Sequence, residues 1–168
     1  MSVDWAAVYR ATYPDLVRYL HHKVWDEERA RDLAQEAFVR ALDHAPDNPR
    51  AFLFTVAANL ARDESKTVLR RRRHLTLLRA EATEETSEPD PVERLEARRR
   101  EEGARRALEA LGERDREVLL LWDAGLGYAE IAERTGLSPG AIGTTLARAR
   151  RRLVEAYEAL EAEHVARG

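Results

Sequence analysis

The chain has 168 residues, no cysteine and a formal net charge of −3, and charged residues make up 35% of it. The lack of cysteine excludes disulfide bonds and cysteine-ligated zinc. The small net charge means that strong binding to nucleic acid cannot come from overall charge. Charge is instead segregated: residues 66–74 carry five positive charges and no acid, whereas residues 81–96 carry seven acids and one arginine. This segregation indicates separate surfaces for separate partners.

The N-terminal part of the chain predicts helices only, because its apolar residues recur at helical spacing and never alternate. Residues 3–11 and 14–24 form two short amphipathic segments. A third helix begins at Asp26 or Glu27 and runs to about Asp43, and a fourth begins near Pro49, after a turn at residues 45–49. Four residues of the third helix are expected to face a core: Leu33, Phe38, Val39 and Leu42.

Residues 80–91 are polar, acidic and contain prolines, and they lack apolar periodicity. We therefore predict an all-α protein with two helical domains, residues 1–75 and 92–168, joined by an acidic flexible linker at residues 76–91. In the second domain, Gly112 is expected to close a first helix. The next helix, at residues 114–122, offers the core candidates Val118, Leu119, Leu121 and Trp122.

Residues 128–152 predict a helix-turn-helix. Gly136 suits the positive φ of a helix C-terminus, and Ser138 followed by Pro139 is typical of a helix start. The second helix has an apolar stripe, and its other face is small and basic, which suits entry into the major groove of DNA. The alternative is an ordinary helical hairpin with a solvated basic face. The residues after Leu153 are rich in glutamate and have two interpretations, an extension of this helix or a regulatory tail.

Two separated blocks of the sequence resemble the extracytoplasmic-function sigma factors, the small two-domain initiation subunits of bacterial RNA polymerase. The first block is DLAQEAF at residues 32–38, followed by RAFL at residues 50–53 and by Asn59. The second comprises REVL at residues 116–119, YAEIA at residues 128–132 and RAR at residues 148–150. Their order and the acidic segment between them carry the resemblance.

The resemblance implies docking on core RNA polymerase through the third helix, by the residues Asp32, Gln35, Glu36 and Phe38. The first three lie at positions i, i+3 and i+4, so they share one face of a helix. That face suits a basic partner helix. The alternative is a solvated acidic face over a packed Phe38.

The resemblance further implies that the N-terminal domain recognises the start-proximal promoter element and opens the duplex there. The residues expected to act are Asp47, Asn48, Asn59, Arg62, Asp63, Lys66, Arg70 and Arg71. The arginine run has the alternative of a solvated helix end. Ala58, where arginine is common in the family, and Glu64, in place of a more basic run, suggest that the strand-melting power is modest.

The helix-turn-helix is expected to bind the upstream promoter element through Ser138, Gly140, Gly143, Thr144, Thr145, Arg148 and Arg151. Among these, direct base readout is expected from Thr144, Thr145 and Arg148, because the other positions of this face are small. The acidic linker is either a flexible spacer or, as the resemblance implies, a segment that passes through the active-site cleft of the polymerase.

The sequence thus predicts an alternative sigma factor whose partners are core RNA polymerase, promoter DNA and an anti-sigma protein. We expect a monomer when free, no cofactor, no metal and no enzymatic activity of its own, because no ligand spacing or nucleophile motif is present. Two alternatives remain. One is a stand-alone helix-turn-helix regulator that binds palindromic DNA as a dimer. The other is a sigma-like adaptor that binds polymerase without melting DNA.

Overall fold

The computed structural model describes residues 2–75 and 90–168, except for the side chains of residue 65 and residues 67–75. In these ranges the chain forms seven helices and no strand, which confirms the all-α prediction. The helices are α1 (Trp5–Val24), α2 (Glu27–Ala41), α3 (Pro49–Leu75), α4 (Pro91–Glu109), α5 (Glu113–Asp123), α6 (Tyr128–Thr135) and α7 (Pro139–Arg167). Most of the predicted linker, and with it the predicted flexibility, lies outside the described residues.

The N-terminal domain consists of α1, α2 and α3, which pack on one another. The two segments predicted for residues 3–24 are one continuous helix that contains Pro14. A proline removes one backbone hydrogen bond and disfavours a helix interior. Here Pro14 lies on the exposed side, where water can reach the carbonyl that loses its donor. Leu16 and Leu20 are fully buried on the other side, and this burial holds the helix together.

Helix α2 buries a narrow stripe of small and apolar side chains. Its buried residues are Ala30, Leu33, Ala34, Ala37, Phe38 and Ala41. The expectation that Val39 and Leu42 face the core is wrong, because they are 64% and 57% exposed. Val39 is one position from Phe38 and therefore points about 100° away from it, and Leu42 follows the last helical residue.

The second domain consists of α4 to α7, in which α7 packs on each of the other three helices. Gly112 does not close α4, which ends at Glu109; it caps the start of α5 instead. Val118 and Leu121 are buried as predicted, Leu119 is partly buried, and Trp122 is 37% exposed. Helix α7 continues without a break from the helix-turn-helix to Arg167, so the residues after Leu153 extend the same helix.

The two domains lie in direct contact, with α1 against α5 and α3 against α6. Tyr19 donates its hydroxyl hydrogen bond to Oε1 of Glu117 at 2.5 Å, and Lys23 forms an ion pair with the same carboxylate. Arg18 donates to the backbone carbonyl of Asp123 at 2.5 Å, and Arg50 donates to that of Ala124 at 2.9 Å. The structure is therefore a closed arrangement of the two domains.

Candidate polymerase and promoter interfaces

The acidic face of α2 is exposed as the sequence predicts. Asp32, Gln35 and Glu36 lie on the solvent side, where Glu36 accepts a 2.7 Å hydrogen bond from Arg40 one turn later. Val39 continues this face at the position i+7 from Asp32. The face thus combines carboxylates and an amide with one apolar side chain.

Phe38 is not part of this surface. It is only 6% exposed, and its ring lies edge-on against Tyr9 with 4.9 Å between the ring centroids. The prediction that Phe38 contacts the polymerase directly is therefore wrong, because its side chain is used in the domain core. Val39, which the sequence analysis assigned to the core, is instead the apolar residue of the exposed face. The spacing of the buried residues of α2, which includes Phe38, would have placed Val39 on the solvent side.

Glu64 has a structural role that the sequence did not indicate. Arg29 of α2 grips its carboxylate with two hydrogen bonds, from Nε at 2.8 Å and from Nη2 at 2.5 Å. The hydrogen bonds from the guanidinium to Glu64 raise the pKa of Arg29. Because the carboxylate of Glu64 is paired with Arg29, its charge does not count fully against the candidate DNA-binding residues of α3.

The start-proximal candidates follow one side of α3 and the loop before it. Asn48 is the cap of this helix, since its Oδ1 accepts a 3.0 Å hydrogen bond from the backbone nitrogen of Ala51. Asp47, beside it, is exposed. Four further candidates are exposed along α3 at helical spacing: Asn59, Arg62, Asp63 and Lys66. The side chains of Arg70 and Arg71 lie outside the described residues.

The helix-turn-helix forms as the sequence predicts. Gly136 ends α6 with a φ of 76°, in the left-handed region that glycine favours. Ser138 stands at the N-cap position of α7, but its side chain makes no capping hydrogen bond. At the start of α6, Oε1 of Glu130 accepts a hydrogen bond from the backbone nitrogen of Gly127 at 3.2 Å. This bond satisfies the backbone N–H of Gly127, while glycine has no side chain that could accept from the first amides of α6 in return.

Helix α7 buries Ile142, Thr145, Leu146 and Ala149 against the rest of the domain. Thr145 is 6% exposed, so the expectation that it reads bases is wrong. The exposed face of the helix carries Gly140, Thr144, Ala147 and Arg151. This face is smooth near its start and basic towards Arg151.

Arg148 is also placed differently from the expectation. It donates two hydrogen bonds to the carboxylate of Asp115 in α5, from Nη2 at 2.8 Å and from Nε at 3.2 Å. Arg152 adds a third at 2.9 Å. Asp115 is only 5% exposed in its side chain. The hydrogen bonds from Arg148 lower the pKa of Asp115. The predicted base-reading donors of Arg148 are thus engaged in holding α7 on α5.

Comparison with known proteins identifies the family of this chain. The family model for sigma-70 region 2 matches residues 8–82, and that for sigma-70 region 4 matches residues 102–153. RNA polymerase sigma factor YlaC of Bacillus subtilis (strain 168) is 31% identical over 153 residues, which are 85% of this chain and 86% of that protein. This chain belongs to the sigma-70 family. Its two-domain form places it among the extracytoplasmic-function sigma factors.

Solved structures resemble the sigma factor over most of its length. CnrH, solved in complex with the cytosolic domain of CnrY, is 25% identical, with a TM-score of 0.62 over 92% of this chain and 88% of that one. RpoE, solved with the anti-sigma factor NepR from Bartonella quintana, is 24% identical, with a TM-score of 0.57 over 92% and 97%. No helix in the described part of the chain is long and apolar enough to cross a membrane.

The family membership determines the general function. The protein is an alternative sigma factor that binds core RNA polymerase and promoter DNA and initiates transcription. The stand-alone regulator and the adaptor are not favoured. The region 2 match encloses the acidic face of α2 and the exposed side of α3, and the region 4 match encloses the helix-turn-helix and the Asp115 pairing. The rest of α7 lies beyond it and packs on α4, where Tyr157 closely approaches Gly103.

Proposed function

We propose that the sigma factor divides its work between residues 1–75 and 92–168, with residues 76–91 as the linker. The first domain docks on core polymerase and opens the promoter near the start site, and the second binds the upstream element. One observation carries this division best: the acidic face of α2 and the basic face of α7 are both exposed on separate domains of one chain. Each face lies within a different family match.

For docking, we assign the contact to Asp32, Gln35, Glu36 and Val39. Carboxylates beside an exposed apolar side chain suit a basic amphipathic helix, since charge provides orientation and the buried apolar area provides affinity. By the family resemblance, that helix belongs to the clamp of the polymerase largest subunit. The ion pairs of Glu36 with Arg40 and of Asp32 with Arg29 are exposed, so they are cheap to exchange for partners on the polymerase.

For promoter opening, we assign Asp47 and the exposed row on α3 to the non-template strand. The cap bond of Asn48 fixes the loop, so Asp47 is presented from a rigid helix start. Asn59, Arg62 and Lys66 offer hydrogen-bonding and cationic groups along about two turns. Arg70 and Arg71 stay in this proposal on the sequence alone.

We also propose control by an anti-sigma protein. Both similar solved structures are complexes: CnrH with the cytosolic domain of CnrY, and the sigma factor RpoE with the anti-sigma factor NepR. A protein that covers the α2 face or the α7 face of this chain would block its function. In this proposal the sigma factor works in the cytoplasm as a monomer, and the polymerase alone catalyses RNA synthesis.

Run-off transcription tests the proposal. Core polymerase is supplied with the sigma factor and a fragmented genomic library, and the start sites are mapped. We expect new discrete starts that share an upstream and a start-proximal element. Glu36→Lys should abolish them by reversing charge on the docking face, whereas Glu133→Lys, an equal change at an exposed position of α6, should leave them. Co-elution with core polymerase without new transcripts would point to the adaptor. The absence of both co-elution and new transcripts would point to the stand-alone regulator.

A further inference from the structure

The arginines of α7 between residues 148 and 152 do not form one basic patch. Arg148 and Arg152 turn to one side, where they share the buried carboxylate of Asp115. Arg150 is about 200° around the helix from Arg148, and its guanidinium carbon lies 5.6 Å from the centroid of the Trp122 ring. Arg151 is exposed between the two sides. Asp115 offsets one of the two positive charges of Arg148 and Arg152, whose side chains are 39% and 53% exposed, whereas Arg150 and Arg151 form no ion pair with a described carboxylate.

Arg150 rests on an aromatic ledge, a name we use for Trp122 and Tyr128. The two rings have centroids 5.4 Å apart at an interplanar angle of 57°, and both are partly exposed. Tyr128 extends the ledge to Gly143, where a Cβ would lie 3.5 Å from Cε2 of the ring and 3.7 Å from its hydroxyl oxygen. The ledge thus runs beside α7 from Arg150 back to Gly143, a rise of about 10 Å.

An aromatic ring and a carboxylate affect a guanidinium differently. The carboxylate of Asp115 cancels one positive charge and occupies the N–H donors that point at it. A ring face attracts the cation and restricts its motion while leaving the charge and the in-plane N–H donors available. Arg150 is thereby preorganised for a further anionic partner, whereas Arg148 is already engaged with one.

We infer that Arg150, seated on the aromatic ledge, binds the phosphate backbone of duplex DNA beside the upstream promoter element. A guanidinium matches the two free oxygens of a phosphodiester in a bidentate manner. Arg151 adds charge on the same side, and Arg148 and Arg152 position the recognition helix without a direct DNA contact. This inference rests on the proposed function, because it assumes that α7 enters the major groove at that element.

The test uses holoenzyme made from core polymerase and the full-length sigma factor, on a promoter found by run-off transcription. The affinity of the holoenzyme for promoter DNA is measured between about 0.05 and 0.2 M salt, a range over which proteins that contact phosphates lose affinity steeply. Arg150→Ala should weaken binding about five- to tenfold at 0.1 M and lower the slope of log affinity against log salt by about 0.9, the value for one phosphate. The loss should be equal on a scrambled upstream element, since phosphate contacts carry no sequence information.

Arg152→Ala is the matched control, because it removes the same charge two residues along the same helix but from the opposite side, where Arg152 pairs with Asp115. It should leave the salt slope nearly unchanged. Arg150→Lys should recover the slope and part of the affinity. Trp122→Leu, which keeps apolar bulk but removes the ring, should lower affinity with the charge still present. A methylphosphonate at the contacted phosphate should have no further effect on Arg150→Ala.

Equal losses of affinity and slope in Arg150→Ala and Arg152→Ala would overturn the inference, since charge would then act without a local contact. So would methylphosphonate effects that are the same in the wild type and in Arg150→Ala. These outcomes leave the proposed function intact as long as the wild-type holoenzyme starts at discrete promoters. A wild-type holoenzyme without such starts would contradict the proposed function, and the inference would fail with it.

Discussion

The substitution Tyr19→Phe tests the contact between the two domains, because it removes one hydroxyl and leaves a ring that packs edge-on against Phe54. The hydroxyl donates a 2.5 Å hydrogen bond to Glu117, and the two side chains are 1% and 13% exposed. Burial, and next the charge of Glu117, raise the pKa of Tyr19 well above its usual value. The hydroxyl is therefore protonated and remains a donor at neutral pH.

A hydrogen bond to a charged group contributes about 1.5–3 kcal/mol. Glu117 keeps its ion pair with Lys23 in the variant, so we take the lower end of this range. A loss of about 1.4 kcal/mol shifts the equilibrium between closed and separated domains about tenfold. A sigma factor that reads two separated promoter elements needs its domains apart, so the variant should also require less polymerase for half-maximal transcription.

Energy transfer between two dyes measures this shift. The natural chain has no cysteine, so Arg10→Cys in α1 and Glu133→Cys in α6 introduce two exposed labelling sites. The free Tyr19→Phe protein should show a larger low-transfer population than the wild type. Tyr13→Phe removes a hydroxyl from the same helix, where the ring stacks on Tyr9, and should change nothing. Transfer in Tyr19→Phe equal to that in the control would refute the reasoning.

Three further predictions concern single contacts. Because the pKa of Asp115 is lowered in the folded protein, its ionised carboxylate stabilises the fold at neutral pH, and this stabilisation is lost as the pH falls through the folded-state pKa. The difference in thermal midpoint between the wild type and Asp115→Asn should therefore shrink below about pH 4. Glu64→Gln should lower the free energy of unfolding by only about 1 kcal/mol, because its partner Arg29 is part-exposed. Permanganate footprints of the opened promoter should persist in this variant, and their loss would place Glu64 in the opening step. Val39→Asp should weaken binding to core polymerase at least tenfold in a pull-down titration, with Val165→Asp, at another exposed valine, unchanged.

The turn of the helix-turn-helix could be predicted because its determinants are local. Gly136 at a positive φ and Pro139 at the first position of α7 act within a few residues of each other. The position of the Arg148 side chain depends instead on Asp115, which is 33 positions earlier in the chain. A basic run read alone gives no sign that a buried carboxylate will take up two of its members.

The contacts between the two domains cannot be predicted from any local sequence pattern. Tyr19 and Glu117 are 98 positions apart, and each would be satisfied by water if the domains were separate. The error at Val39 has another cause: its apolar side chain was assigned to the core together with Phe38, although only Phe38 fits the stripe that α2 buries. Pro14 shows the reverse, since tertiary burial on the opposite side of α1 outweighs an unfavourable local preference.

The continuity of α7 has a mechanical consequence. The helix has 29 residues and is therefore about 43 Å long, of which the part after Arg151 accounts for about 24 Å. An α-helix of this length is stiff, and α7 is held in place by packing on α4 and α5. A partner that tilts the far end sets the angle at which the near end meets the groove. A partner bound to the C-terminal half of α7 would therefore change promoter affinity through the orientation of the whole helix, from a position about 24 Å beyond the recognition face.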